Sequence, residues 1–350
     1  MKLRFQNINQ TIYNTGMKKI MKIFWMTIIA SFLASACQPA LTVPTPMPFP
    51  PTLTTSAIPT QTSIPTFTPE PTLTPIPLVP NFAHIVIIIF ENKEYGSVIG
   101  NSDMSYFNQL AASYTLLTQE YAIMHPSLPN YISLISGDTN GIIDNCTDKE
   151  CYINVPSLPD LIEQSGRTWK TYQQNMPEPC FTGNTMEYVR KHNPFIFFDP
   201  IRLDPERCQH SIVPLTQMDT DIAANTLPNF IFITPDICYS AHDCDLNQAD
   251  AFLKEQMDKL SPALESSGQP YLIILTWDEG QGDHSCCGLP EIAGGRVATI
   301  LISPQVKSNF KDDTPYSHYS ILKTISEAWS LPYLGHAADL KTMLITAPWK

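Results

Sequence analysis

The chain has 350 residues, 43% of them hydrophobic, enough to bury a sizeable core as one large domain or two small ones. Residues 1–37 hold five basic and no acidic side chains, which leaves 16 basic against 33 acidic residues in the remainder, a net charge of −17. That balance argues against nucleic acid as a partner. It does not exclude a phosphorylated substrate, because a bound metal can reverse the field locally.

The N-terminus reads as an export address. In MKKIMKIFWMTIIASFLASAC, lysines precede 14 uncharged residues, Ile23 to Ala36. That run is short for a membrane span, which needs roughly 20 apolar residues, and it fits a secretory signal better. Ala34, Ser35 and Ala36 directly before Cys37 resemble a bacterial lipoprotein signal, although Leu33 lies one place further from the cysteine than is usual. The resemblance implies cleavage, a lipid on Cys37 and attachment to a membrane at the cell surface. Met17 looks a more natural start than Met1. Next, 13 of the 32 prolines fall between Gln38 and Pro80, in a tract with almost no charge and no glycine. Such a segment cannot build a core and is expected to be a disordered, semi-rigid linker over 38–80. Fully extended it would reach on the order of 130 Å.

The folded part is then expected over 81–350. Its apolar runs predict strands at 84–90, 114–123, 168–173, 229–234, 271–277 and 297–303. Several are apolar throughout, as strands are when both faces are covered. Helix-like stretches at 102–113, 157–165, 249–260 and 319–330 alternate with them, and Ser127 opens another, LPNYISLIS. The alternation predicts an α/β layered fold: a central, mostly parallel sheet with helices on both faces. Eight cysteines besides Cys37 in an exported chain suggest disulfides. Proximity suggests Cys146–Cys151, Cys238–Cys244 and Cys180–Cys208, leaving Cys286–Cys287 as a vicinal pair. No cysteine spacing matches a zinc site.

In α/β folds ligands sit beyond the carboxyl ends of the strands, and here those ends are rich in oxygen and imidazole. Glu91 and Asn92 follow the first strand. His125 and Ser127 follow the second. Asp236, His242 and Asp243 follow the run at 229–234. Asp278, Glu279, Asp283 and His284 follow the run at 271–277. After 297–303 the chain loops to His318. One carboxylate after a strand is commonly only a cap; five such ends together are harder to explain that way. Asp278, Glu279, Glu91 and Asn92 are hard oxygen ligands suited to a divalent cation, with magnesium, calcium, manganese or iron all acceptable. A serine hydroxyl is a weak nucleophile until a metal or base activates it. Ser127, between two prolines that stiffen its backbone, stands at a helix start, where free N–H groups would meet a phosphate. The histidines could bind phosphate, protonate a leaving group or ligate a second metal.

FEN (90–92), HPSLPNYISLISG (125–137), TWKTYQQNMP (168–177), YVRKHNPFIFF (188–198), TPDICYSAHDC (234–244), TWDEGQGDH (276–284) and YSHYSILKTI (316–325), in that order, resemble the bacterial phosphoesterase family. That family holds acid phosphatases, phosphatidylinositol phosphate phosphatases and phospholipases C on the alkaline-phosphatase-like superfold. The resemblance implies that Glu91, Asn92, Ser127, Asp278 and Glu279 surround a metal, with Ser127 as the phosphorylated nucleophile. His125, His242, His284 and His318 are expected to share in catalysis, and His192, Asp243 and Asn130 in holding the substrate. The compact chain looks closer to the acid phosphatases. A phosphodiesterase of the phospholipase C type, or a non-catalytic surface lipoprotein that binds a phosphorylated ligand, stays open. A sulfatase is disfavoured, because Tyr131 stands where that group needs arginine. The expected partners are a small phosphorylated molecule or a phospholipid head group, and a monomer is expected.

Overall fold

A computed structural model of the chain describes residues 77–146 and 151–350. The expected signal, the lipidated Cys37 and nearly all of the 38–80 linker lie outside the described residues. No helix among the described residues is long and apolar enough to cross a membrane.

The strands are β1 (His84–Phe90), β2 (Thr115–Tyr121), β3 (Trp169–Gln173), β4 (Ile212–Pro214), β5 (Phe230–Thr234), β6 (Tyr271–Trp277), β7 (Arg296–Ile302), β8 (Phe310–Asp312) and β9 (Tyr316–Ser317). They form one sheet in the order β4-β3-β5-β1-β6-β7-β2-β8, with β9 also paired to β2. The longer helices are α1 (Ser105–Ser113), α2 (Ser127–Ser136), α3 (Leu158–Gln164), α4 (Pro205–Ser211), α5 (Thr216–Ala223), α6 (Leu246–Ser266) and α7 (His318–Ala328).

β1 explains the layering. Its side chains alternate across the sheet. Ile85, Ile87 and Ile89 join a core with α2, α3, α4 and α7. Val86, Ile88 and Phe90 join a second core with α1, α5 and α6 on the other face. An unbroken apolar run is what a strand covered on both sides requires, so helices do lie on both faces. α2 is buried at all ten positions. It ends at Gly137, whose φ of 76° is left-handed and whose added Cβ would fall 2.1 Å from the Leu334 carbonyl oxygen. Glycine satisfies both demands.

β1, β3, β4, β5 and β6 run parallel. β7 is antiparallel to both β6 and β2. The end of β7 therefore points away from the edge where β1 and β6 finish, contrary to the expectation that each strand end feeds one edge. His318 arrives there by a longer route, through β8 and then β9, which run parallel to β2. The three strands β4, β8 and β9 escape sequence reading because each has only two or three residues. α6 runs to Ser266, past Pro262 and past its expected end. A proline inside a helix costs about 3 kcal/mol, and burial of Leu264 in the core offsets it.

All four expected cysteine pairs are joined. Cys180–Cys208 bridges a sequence separation of 28 and Cys238–Cys244 one of 6. Chain-entropy arguments give the longer loop about 3.5 kcal/mol and the shorter about 2 kcal/mol. Replacing both Cys180 and Cys208 by alanine is expected to cost more stability in urea than replacing Cys238 and Cys244. The reverse order would show that native strain, not loop closure, dominates.

Candidate active site

The site begins with strand register. Phe90 pairs with Trp277 on the parallel strands β1 and β6. The next residues, Glu91 and Asp278, therefore leave the sheet side by side, both fully buried. Asn92 turns back with φ 53°, a conformation asparagine tolerates better than most residues. Its N–H donates to Asp278 Oδ1 at 2.9 Å. Glu279 follows, buried as well.

Ser127 opens α2 and is 1% exposed. Its hydroxyl lies 3.1 Å from Glu91 Oε2 and 3.2 Å from Glu279 Oε1. One turn along α2, the Tyr131 hydroxyl donates to Glu91 Oε1. His192 Nε2 lies 3.2 Å from Glu91 Oε2, the same oxygen that faces Ser127. The His192 ring stacks on Tyr131 with centroids 5.6 Å apart. His125 Nδ1 meets Glu279 Oε2, and its Nε2 donates to the Gly282 carbonyl at 3.2 Å.

Three carboxylates share this buried site. Burial pushes the Glu91 carboxyl up, opposed by the Tyr131 hydrogen bond. Burial, then the Glu91 charge, pushes Asp278 well above the usual carboxylate range. Burial and Asp278 push Glu279 up to about 8, opposed by His125. Burial holds His192 well below the ordinary imidazole range, so its ring is neutral. Asn92 Oδ1 and Asp278 Oδ2 are buried without a protein partner. Leaving such oxygens unpaired is costly. Clustered carboxylates with orphaned oxygens are the donor set that a hard divalent cation accepts, so Glu91, Asn92, Asp278 and Glu279 fit one. Glu91 also belongs to a nitrogen-rich group: Glu91, His192 and His242 offer ligand atoms within 4.8 Å of one another.

The remaining expected residues fall in different places. His242 stands at the lip, with Nδ1 2.6 Å from the Asp243 carboxylate. Asn130 turns inward and braces the loop before α2. Its Oδ1 accepts from the N–H groups of Ile123 and Met124, and its Nδ2 donates to the carbonyls of Met124 and Pro126. Its amide is spent on backbone rather than turned to a substrate. His318 is fully buried; Nε2 donates to the Asp278 carbonyl at 2.7 Å, and Nδ1 lies 3.5 Å from the buried Glu120. It supports the backbone of Asp278 from behind. The His284 side chain is 71% exposed and faces Glu94, outside the buried cluster. Asp236 accepts from Asn175 and from the N–H groups of Cys238 and Tyr239, shaping the loop that carries His242.

Sequence reading missed Tyr131, Lys191 and Glu94. Tyr131 was findable, since residues four apart share a helix face. Glu94 accepts from the N–H groups of Gln281, Gly282 and Arg296 and so clasps the loop after β6, which no local pattern announces.

Known proteins agree with this architecture. The acid phosphatase of Aspergillus fumigatus is 32% identical over 258 residues, covering 70% of this chain and 54% of its own length. The phosphatidylinositol-3-phosphatase of Mycobacterium tuberculosis is 28% identical over 268 residues, covering 75% of this chain and 81% of its own. This chain thus spans about half the length of the fungal relative. A solved alkaline phosphatase superfamily protein of Vibrio parahaemolyticus superposes with a TM-score of 0.50 at 12% identity, over 75% of this chain and 71% of that one, which speaks for the fold alone. The model of the phosphoesterase family matches residues 101–332, and the chain belongs to that family.

Proposed function

We propose that the domain is a metal-dependent phosphomonoesterase in which Ser127 takes up the phosphoryl group. The observation that carries the reading is the Ser127 hydroxyl, held 3.1 and 3.2 Å from Glu91 and Glu279 inside a buried three-carboxylate cluster. A divalent cation held by Glu91, Asn92, Asp278 and Glu279 would lower the proton affinity of the serine hydroxyl and neutralise charge on a phosphoryl group. The chain's own residues do the rest. Glu91 and Glu279 orient the hydroxyl and can accept its proton. The helix start behind Ser127 favours negative charge. Tyr131, with the His192 ring stacked on it, fixes the Glu91 carboxylate. His242, oriented by Asp243, stands at the lip, where it can hold a proton for a leaving group. Water then releases phosphate from the phosphoserine.

Four disulfides among the described residues support a location outside the cytoplasm. There the lipid on Cys37 and the linker would hold the domain at the cell surface. Small phosphate esters or phospholipid head groups are the substrate class.

The test is hydrolysis of p-nitrophenyl phosphate and of p-nitrophenyl phosphorylcholine by the full chain, before and after chelation. Monoester turnover lost with chelator and restored by added metal is the expected result. Turnover of the choline diester alone would make the protein a phosphodiesterase. Turnover of neither by folded, metal-supplied protein would leave a non-catalytic ligand binder.

A further inference from the structure

The lip of the pocket holds a cation that this scheme leaves idle. Lys191 sits in the 3-10 turn Arg190–His192, and its Nζ lies 3.2 Å from His242 Nε2. His242 Nδ1 donates to Asp243, so Nε2 carries the lone pair and accepts from the Lys191 ammonium. Glu91, His192 and His242 could be read as a second metal site. The Lys191 Nζ at His242 Nε2 speaks against that, because a second cation would sit beside an ammonium. The same charge suits an anion. Through His242 it adjoins the carboxylate cluster, since ligand atoms of His242 and Glu91 lie within 4.8 Å of each other.

We propose that Lys191 is the specificity-determining cation of this site: it grips a non-bridging oxygen of the phosphoryl group and favours dianionic monoesters over monoanionic diesters. The inference rests on the phosphoesterase reading above. The oxygen side of the pocket carries three carboxylates, Glu91, Asp278 and Glu279. A divalent cation offsets two of those charges and Lys93 the third, which leaves no positive charge over for a substrate. A phosphate monoester, whose second pKa is about 6, brings two further negative charges near neutral pH, where a diester brings one. The extra charge goes unbalanced unless a further positive group meets it. Lys93 is nearby, but its charge is balanced against Asp278 and Glu91, and its Nζ donates to the Ala241 carbonyl at 2.7 Å. Lys191 rests on an imidazole nitrogen, a weaker partner for an ammonium than a phosphate oxygen.

The test uses the full chain with metal supplied, as wild type, Lys191→Met and Lys191→Arg. Methionine keeps the apolar stem of this half-exposed side chain, so the fold is kept. Lys191→Met is expected to lose about a hundredfold in kcat/KM on p-nitrophenyl phosphate and less than about tenfold on bis(p-nitrophenyl) phosphate. Lys191→Arg keeps most of the monoester rate, and orthophosphate binding weakens in Lys191→Met. An equal fall on both esters, or an unchanged ratio between them, overturns the inference. Should wild type hydrolyse neither ester, orthophosphate binding decides. Weaker binding by Lys191→Met upholds the grip while the phosphatase reading falls; equal binding overturns the grip too.

Discussion

Replacing Ser127 by alanine is expected to cut monoester turnover by about 10⁴-fold or more while leaving the metal site in place. Among the described residues, the Ser127 hydroxyl lies within hydrogen-bond reach of both Glu91 and Glu279, at the start of a buried helix. The change removes one atom and no charge, so the carboxylate cluster persists. Chelator should still lower the thermal midpoint of the Ser127→Ala protein, as it does for wild type. Acid quenching of the wild-type reaction should trap phosphate on the peptide that contains Ser127. Turnover within tenfold of wild type, or phosphate trapped on another residue, would remove Ser127 from the mechanism.

Asp278→Asn is expected to abolish activity and yet stabilise the chelated protein at pH 8. Without a cation, Glu91, Asp278 and Glu279 repel one another in a buried site. Glu279 illustrates the sign. Its folded value of about 8 lies above the ordinary 4.5 that the unfolded chain adopts. Between those limits the folded state holds a proton that the unfolded chain has released. The stability this contributes is full below about pH 4.5 and is lost as pH rises through 8. Glu91 and Asp278, also raised, act in the same direction. A bound cation takes the place of those protons, so metal affinity rises with pH. Chelation should therefore lower the thermal midpoint much more at pH 8 than at pH 5. The amide introduced by Asp278→Asn removes one charge and can donate to Glu91, and the midpoint of the chelated protein should rise by about 2–4 °C for each kcal/mol of repulsion relieved. Calorimetry with and without chelator at both pH values measures this. A chelator effect that is equal at pH 5 and pH 8 would show that these carboxylates hold no cation.

Much of the fold is legible in the residues because burial leaves a local trace. A short, isoleucine-rich apolar run such as HIVIIIF suits a strand with both faces covered, and β1 and β6 keep their expected bounds. Chain proximity sufficed to pair the cysteines. The oxygen ligands were legible as residue types after strands. Their arrangement was not. Glu91 meets Asp278 only because β1 and β6 are neighbours in a parallel register, and pairing between distant strands leaves no local signal. The reversed direction of β7 is hidden for the same reason, since an apolar strand reads alike in either direction.

Side-chain direction is the second thing that composition cannot supply. Asn130 and His318 carry the chemistry of ligands, yet one is turned onto loop backbone and the other is packed behind Asp278. Tyr131 and Lys191 were given no role at the site from the sequence, yet they touch Glu91 and His242. The layers, most of the elements and the kinds of groups delivered to one edge could be read along the chain, because hydrophobic periodicity and connectivity are local. Which of those groups face Ser127 emerges only on folding, because register, strand direction and the aim of each polar side chain depend on contacts between residues far apart in the chain.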